Sequence, residues 1–175
     1  MISAKIKNAI RDVNDFPKPG IVFKDITPIL KDPGLCVEIN NAIVSQLAGL
    51  QIDVVAGVES RGFLFGPSLA QLLGLPFVPI RKSGKLPYKT VQQSYDLEYG
   101  SAVIECHQDA LLSGQRVLVH DDLLATGGTV VAASDLIMQL GATVAAYSFI
   151  ISLDFLNGRE RLKPYTGNIY SLASY

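Results

Sequence analysis

The chain has 175 residues, the size of one compact domain, with 49% hydrophobic and only 18% charged residues, which argues against both a disordered chain and a multidomain assembly. A formal net charge of −1 provides no global field for gathering nucleic acid or an anionic membrane, so any anion binding has to be local. Two cysteines, Cys36 and Cys106, form neither a disulfide-framework spacing nor a CxxC pair, which fits a reducing compartment.

Met1 to Asn14 reads as a short amphipathic helix with Ile2, Ile6, Ala9, Ile10 and Val13 on one side. It lacks the apolar core and cleavage site of an export signal, so a cytoplasmic location is expected. Asp32 then Pro33 supply an N-cap and a first-turn proline for a helix carrying Leu35, Ile39, Ile43 and Leu47. An apolar run from Ile52 to Val58, a helical pattern from Phe63 to Leu73 closed by Gly74, and a second run from Phe77 to Ile80 read as β, α, β. Tyr95, Leu97 and Tyr99 alternate with polar residues up to Gly100, and Ala102 to Cys106 alternates again, a hairpin inserted between parallel units.

The pattern resumes with a strand at Arg116 to His120, a small-residue loop, a helix from Thr129 to Leu140 stopped by Gly141, and a strand from Val144 to Ile151. The apolar run from Val144 to Leu153 is short of the roughly 20 residues a bilayer requires, and no membrane association is expected. Alternation of this kind predicts a single α/β domain over residues 1–175, a mainly parallel central sheet flanked by helices. In such sheets ligands bind in the loops beyond the strand C-termini.

The loop with the most chemistry is Val117-Leu118-Val119-His120-Asp121-Asp122-Leu123-Leu124-Ala125-Thr126-Gly127-Gly128-Thr129. Gly127 and Gly128 let the backbone turn tightly and present N–H groups, and Thr126 and Thr129 add hydroxyls at the positive end of the next helix. With neither GxxxxGK[ST] nor GxGxxG present, one phosphate is a better fit than a nucleoside triphosphate or a dinucleotide. Asp121 and Asp122 splay to opposite sides of a strand, which suits hydrogen bonds to the vicinal hydroxyls of a sugar better than a shared metal ion. His120 reads as a structural histidine, pointing away from Asp121, and neither histidine pairs with a cysteine at a metal spacing.

That segment resembles the signature with which type I phosphoribosyltransferases bind 5-phosphoribosyl-1-pyrophosphate (PRPP). Four further blocks resemble the adenine-using members of that family: Asp15 to Pro28, Glu59 to Phe63, Arg81 to Pro87, and Leu97 to Gly100. The resemblance implies transfer of the 5-phosphoribosyl group of PRPP to N9 of adenine, giving AMP and pyrophosphate, with Mg²⁺ as cofactor held mainly through PRPP oxygens and by no direct protein ligand. It implies the type I fold, with a small N-terminal hood over residues 1–33 to which the C-terminus contributes, and a flexible β-hairpin lid at about residues 83–106. It also implies a homodimer. Another purine as acceptor, or a noncatalytic PRPP-sensing regulator, are the alternatives.

Residue roles follow from the same resemblance. Asp121 and Asp122 hold the ribose hydroxyls, and Ala125, Thr126, Gly127, Gly128 and Thr129 the 5′-phosphate. Glu59, Ser60, Arg61, Arg81, Lys82 and Lys85 belong to the pyrophosphate site, where a fixed cation, a hydroxyl and a glycine suit a diphosphate leaving group. Arg61 clamps pyrophosphate, or pairs locally with Glu59. Arg81 reaches the site of the neighbouring subunit, and a cis peptide falls at Glu59–Ser60. Val22, Phe23, Lys24 and Leu153 line the adenine pocket, with Phe23 stacking on the base. Glu98 donates a proton to, or orients, the imidazole nitrogen of the base, and Tyr99 packs over the closing site. Lys24, His120 and Ser152 depart from the residues usual in the family.

Overall fold

The computed structural model describes residues 1–96 and 101–175. Helix α1 spans Ile2–Ala9 and buries Ile6, but the chain turns extended at Ile10 and continues as strand β1, Arg11–Asn14. The expected helix over residues 1–14 is therefore too long. Asp12, Val13 and Asn14 are weak helix formers, and the ladder offered by β2, Val22–Asp25, captures them from Arg11 opposite Asp25 to Asn14 opposite Val22. Helix α2, Pro33–Gln46, starts as expected: the Asp32 carboxylate accepts the Leu35 N–H at 3.0 Å, and Leu35, Ile39, Ile43 and Leu47 are buried.

The remaining elements are β3 Val54–Val58, α3 Gly66–Leu73, β4 Phe77–Lys82, β5 Thr90–Asp96, β6 Ser101–His107, β7 Arg116–Leu124, α4 Gly128–Gln139, β8 Thr143–Ser152, α5 Gly158–Leu162 and β9 Ile169–Ser174. Among the described residues they build a seven-stranded sheet ordered β5-β6-β4-β3-β7-β8-β9. The five strands from β4 to β9 are parallel, and β5 and β6 add antiparallel at the β4 edge, which places the hairpin as an insertion. The strands β1 and β2 form a separate antiparallel pair.

Strand alternation divides the core between two sides of the sheet. Val54, Ala56 and Val58 of β3 and Val117 and Val119 of β7 join Leu136 and Ile137 of α4, while Val55 and Leu118 join Ile6, Ile39, Ile43 and Leu69 from α1, α2 and α3. Two differences from the sequence reading matter for function. Helix α3 begins at Gly66 rather than Phe63, because Pro67 takes the first turn and Arg61–Phe63 is left as one 3₁₀ turn at the end of β3. Strand β7 runs past His120 to Leu124, because β8 also extends and supplies partners as far as Ser152, opposite Leu124. No helix among the described residues is long and apolar enough to cross a membrane.

Candidate active site

The C-terminal ends of β3 and β7 are adjacent in the sheet, Gly57 lying opposite His120, so the loops that follow them open on the same edge. A cleft of about 300 Å³ there is lined by Glu59, Ser60, Arg61, Lys82, Tyr95, Asp121, Asp122 and Thr129. A second, of about 180 Å³, is bordered by Arg61, Asp121 and every residue from Leu123 to Val130. The structure thus brings the acidic pair, the glycine loop and the Glu59–Arg61 segment together, as the sequence predicted. Gly127, at φ 80°, caps α4, and the first-turn N–H groups of that helix, which have no partner further back in the helix, border the smaller cleft.

Arg61 borders both clefts, as do Asp121 and Thr129. Its Nε donates to Asp122 Oδ2 at 2.5 Å, and its guanidinium lies 5.3 Å from the centre of the Phe23 ring. The local alternative, Arg61 pairing with Glu59, is not what forms. Glu59 instead accepts from Arg81 Nε at 3.1 Å and from the Lys82 N–H at 2.9 Å. Burial works against the Glu59 charge, but these two donors outweigh it and hold its carboxyl below the usual range. The Glu59–Ser60 peptide is cis.

The two aspartates differ as strand alternation requires. Asp122 is buried against Arg61, whereas Asp121 accepts the Asp122 N–H at 2.8 Å and borders both clefts. Burial, together with the neighbouring Asp122 charge, pushes the Asp121 carboxyl well above its ordinary value. The Asp121 carboxyl, bordering both clefts, is placed to hydrogen-bond a sugar hydroxyl.

Lys82 lines the larger cleft, while Arg81 and Lys85 stand outside it, joined by a bond from Arg81 to the Lys85 carbonyl at 3.1 Å. That turn is pinned by buried Glu105, which accepts the N–H groups of Lys85 and Leu86, both at 2.9 Å. Phe23 and Lys24 sit on β2 with Val22. Phe23 meets Phe16 edge to face at 5.2 Å, and the Lys24 ammonium turns away to Asp12 at 2.7 Å. Leu153 follows β8, its N–H bonded to the Leu124 carbonyl at 2.8 Å. Glu98 and Tyr99 lie outside the described residues.

Three contributors were not singled out as site residues from the sequence. Tyr95, in the sequence one of the alternating residues of the hairpin, lines the larger cleft; its alternation with Tyr99 is the available signal. Gly158 backs the Ala125–Thr129 loop so closely that a Cβ there would overlap the Ala125 carbonyl oxygen. Arg161 reaches over the same loop to the Thr126 carbonyl at 3.2 Å. Asn157-Gly158 is a turn signal, but a pattern read along the chain does not say what the turn touches.

His120 is structural, as expected. It is fully buried, its Nδ1 lies 2.8 Å from Ser148 Oγ, and its Nε2 has no hydrogen-bond partner among the described residues. Burial pushes its pKa down to about 4. Below the ordinary value of 6.5 the unfolded chain takes up a proton that the folded chain refuses, so this stability is present above that pH and lost as the pH falls towards the folded value. The double variant His120→Val with Ser148→Ala should remove that sensitivity. By urea unfolding, the wild type should lose about 2 kcal/mol more than the double variant between about pH 7 and about pH 4.5. Equal losses would show that His120 is protonated at no cost.

A glycine-bearing loop at the N-terminus of α4, with an acidic pair beside it and arginine and lysine across a cleft, fits the class of phosphosugar-transferring α/β enzymes. Residues 29–171 match the family model described as the phosphoribosyl transferase domain. An adenine phosphoribosyltransferase from Cytophaga hutchinsonii is 55% identical over 175 residues, all of this chain and 97% of that protein. One from Nitrosococcus oceani is 52% identical, over 98% of this chain and 99% of that one. Among solved structures, adenine phosphoribosyltransferase from Thermoanaerobacter pseudethanolicus superposes with a TM-score of 0.96 at 47% identity, over 100% of each chain. The enzyme from Saccharomyces cerevisiae, complexed with adenine and an imino-altritol bisphosphate, gives 0.92 at 40% identity over 98% of each. The chain belongs to the adenine phosphoribosyltransferase family, a branch of the phosphoribosyl transferases.

Proposed function

We propose that this protein transfers the 5-phosphoribosyl group of PRPP to N9 of adenine, releasing pyrophosphate and AMP. The observation that carries this reading is the meeting, at one sheet edge, of the Ala125–Thr129 loop, the Asp121–Asp122 pair and Arg61, with Phe23 under the Arg61 guanidinium. The loop and the α4 N-terminus hold the 5′-phosphate, and Asp121 and Asp122 hold the ribose hydroxyls. The bond from C1′ to the pyrophosphate oxygen breaks as N9 approaches from the opposite face, and positive character builds on the ribose. Arg61 and Lys82 stabilise the departing negative charge. Glu98 exchanges a proton with the imidazole edge of the base, and Tyr95 and Tyr99 help exclude water.

Of the three carboxylates lining the larger cleft, Glu59 is engaged with Arg81, Asp122 with Arg61 and Asp121 with the Asp122 N–H, and the described residues hold no group of three metal-ligating side chains. That donor set suits Mg²⁺ carried on the oxygens of PRPP, where it would neutralise charge on the leaving group. A homodimer belongs to the same reading: Leu64 and Leu72 leave exposed apolar surface around α3, and Arg81, bonded to Glu59 and to the Lys85 carbonyl, stands outside the larger cleft of its own chain. A cytoplasmic setting is supported by Cys36 and Cys106, which are free thiols.

The test is a PRPP- and Mg²⁺-dependent conversion assay with adenine, hypoxanthine, guanine and xanthine side by side. Adenine should be consumed with a kcat/KM at least about a hundredfold above the others, since a polar pocket built for one ring edge leaves groups unpaired with another. Equal use of a 6-oxopurine would move the assignment to another purine, and no turnover with any base would leave a binding protein.

A further inference from the structure

Tyr175 follows β9 and touches both walls of the base site on which the proposed function relies. Its N–H donates to the Ser152 carbonyl at 2.9 Å, and its carbonyl accepts the Asp154 N–H at 2.9 Å, so it grips the backbone on either side of Leu153. Its ring carries the Lys24 ammonium 4.2 Å from the centroid and the Lys7 ammonium at 4.9 Å. Lys24 is fixed further by Asp12, at 2.7 and 2.8 Å, and is largely buried in this arrangement. It adjoins Phe23 on β2, where successive side chains point to opposite sides, so holding Lys24 on one side fixes the aim of Phe23 on the other.

The strand pair β1–β2 shares no ladder with the main sheet among the described residues. Its placement relative to Leu153 is therefore set by side-chain contacts, and the Lys24–Tyr175 contact is one that joins the two. We infer that Tyr175 is a positioning residue for the base: its backbone holds the Leu153 wall, its ring holds the β2 wall through Lys24, and it thereby sets the gap between Leu153 and Phe23. None of its own contacts above reaches the Ala125–Thr129 loop or the Glu59–Arg61 segment, and Arg61 is met only at one remove, through Phe23, so the larger effect falls on the base rather than on PRPP.

Steady-state kinetics with each substrate varied separately, on Tyr175→Leu, Tyr175→Phe, Lys24→Gln and Phe23→Ala, test this. Leucine keeps apolar bulk but has no ring face to attract an ammonium, and phenylalanine keeps the face. Tyr175→Leu is expected to raise the adenine KM about fivefold with the PRPP KM within about twofold of wild type, while Tyr175→Phe stays near wild type. Lys24→Gln cuts the same link from the other end, so a similar selective rise is expected even if Tyr175→Leu fails to fold. The inference is overturned if Phe23→Ala raises the adenine KM and neither Tyr175→Leu nor Lys24→Gln does, if the PRPP KM rises in parallel, or if Tyr175→Phe is as impaired as Tyr175→Leu. An adenine KM unmoved by Phe23→Ala itself overturns the base site, and the inference with it.

Discussion

Gly158→Ala is expected to raise the PRPP KM by at least about tenfold and to cost about 2 kcal/mol of stability, one methyl being forced between two backbones. A Cβ on Gly158 would overlap the Ala125 carbonyl oxygen and come within 3.1 Å of Leu124 Cδ1. The reverse approach is as close, since a Cβ on Gly127 would lie 3.1 Å from the Gly158 carbonyl oxygen. The Leu124 side chain can swing aside, but the Ala125 and Gly158 carbonyl oxygens are backbone, so the Ala125–Thr129 loop itself must move. Kinetics at varied PRPP, with a thermal melt of the same sample, check both parts. A wild-type PRPP KM in a folded Gly158→Ala protein would remove the loop from the binding site.

Arg61→Ala is expected to lower kcat by about 10² to 10³, the range seen when one charge-stabilising donor is taken from a preorganised site. Arg61 borders both clefts, holds Asp122 and covers Phe23, so in the proposed mechanism its loss takes away the cation facing the departing diphosphate and disturbs the proposed diol and base sites together. The stability cost is smaller, about 1 kcal/mol, because the Arg61 side chain is 41% exposed and solvent screens the pair even though Asp122 is buried. Arg61→Lys should recover little, since an ammonium lacks the planar fork that meets a carboxylate and a phosphate at once. A kcat within about threefold of wild type in Arg61→Ala, measured at saturating substrates, would discard the pyrophosphate role.

The elements legible in the sequence are those written in local periodicity. The Asp32 cap, the apolar stripe of α2 and the run from strand β7 through Gly127 into α4 each depend on neighbours a few residues apart, and the structure reproduces them. The β1 strand was hidden because its stability comes from β2, across the turn, while its own residues also suit one face of a helix. The extension of β7 was hidden for the same reason, its partner β8 lying beyond α4. In the site, the glycines, hydroxyls and acids of residues 121–129 could be named from chemistry and order. Partner choice could not: Arg61 selects Asp122, distant in sequence, over Glu59 two residues before it, because parallel β3 and β7 end side by side. Gly158 is the extreme case, a residue whose importance lies in having no side chain where another loop passes.

Calorimetric titration of the wild-type protein with PRPP in the presence of Mg²⁺ bears most directly on the claim that the loop after β7 and the segment after β3 form one phosphosugar site. Saturable binding at one site per chain, competed by AMP, is the expected result. No heat of binding, or binding that AMP does not displace, would contradict it.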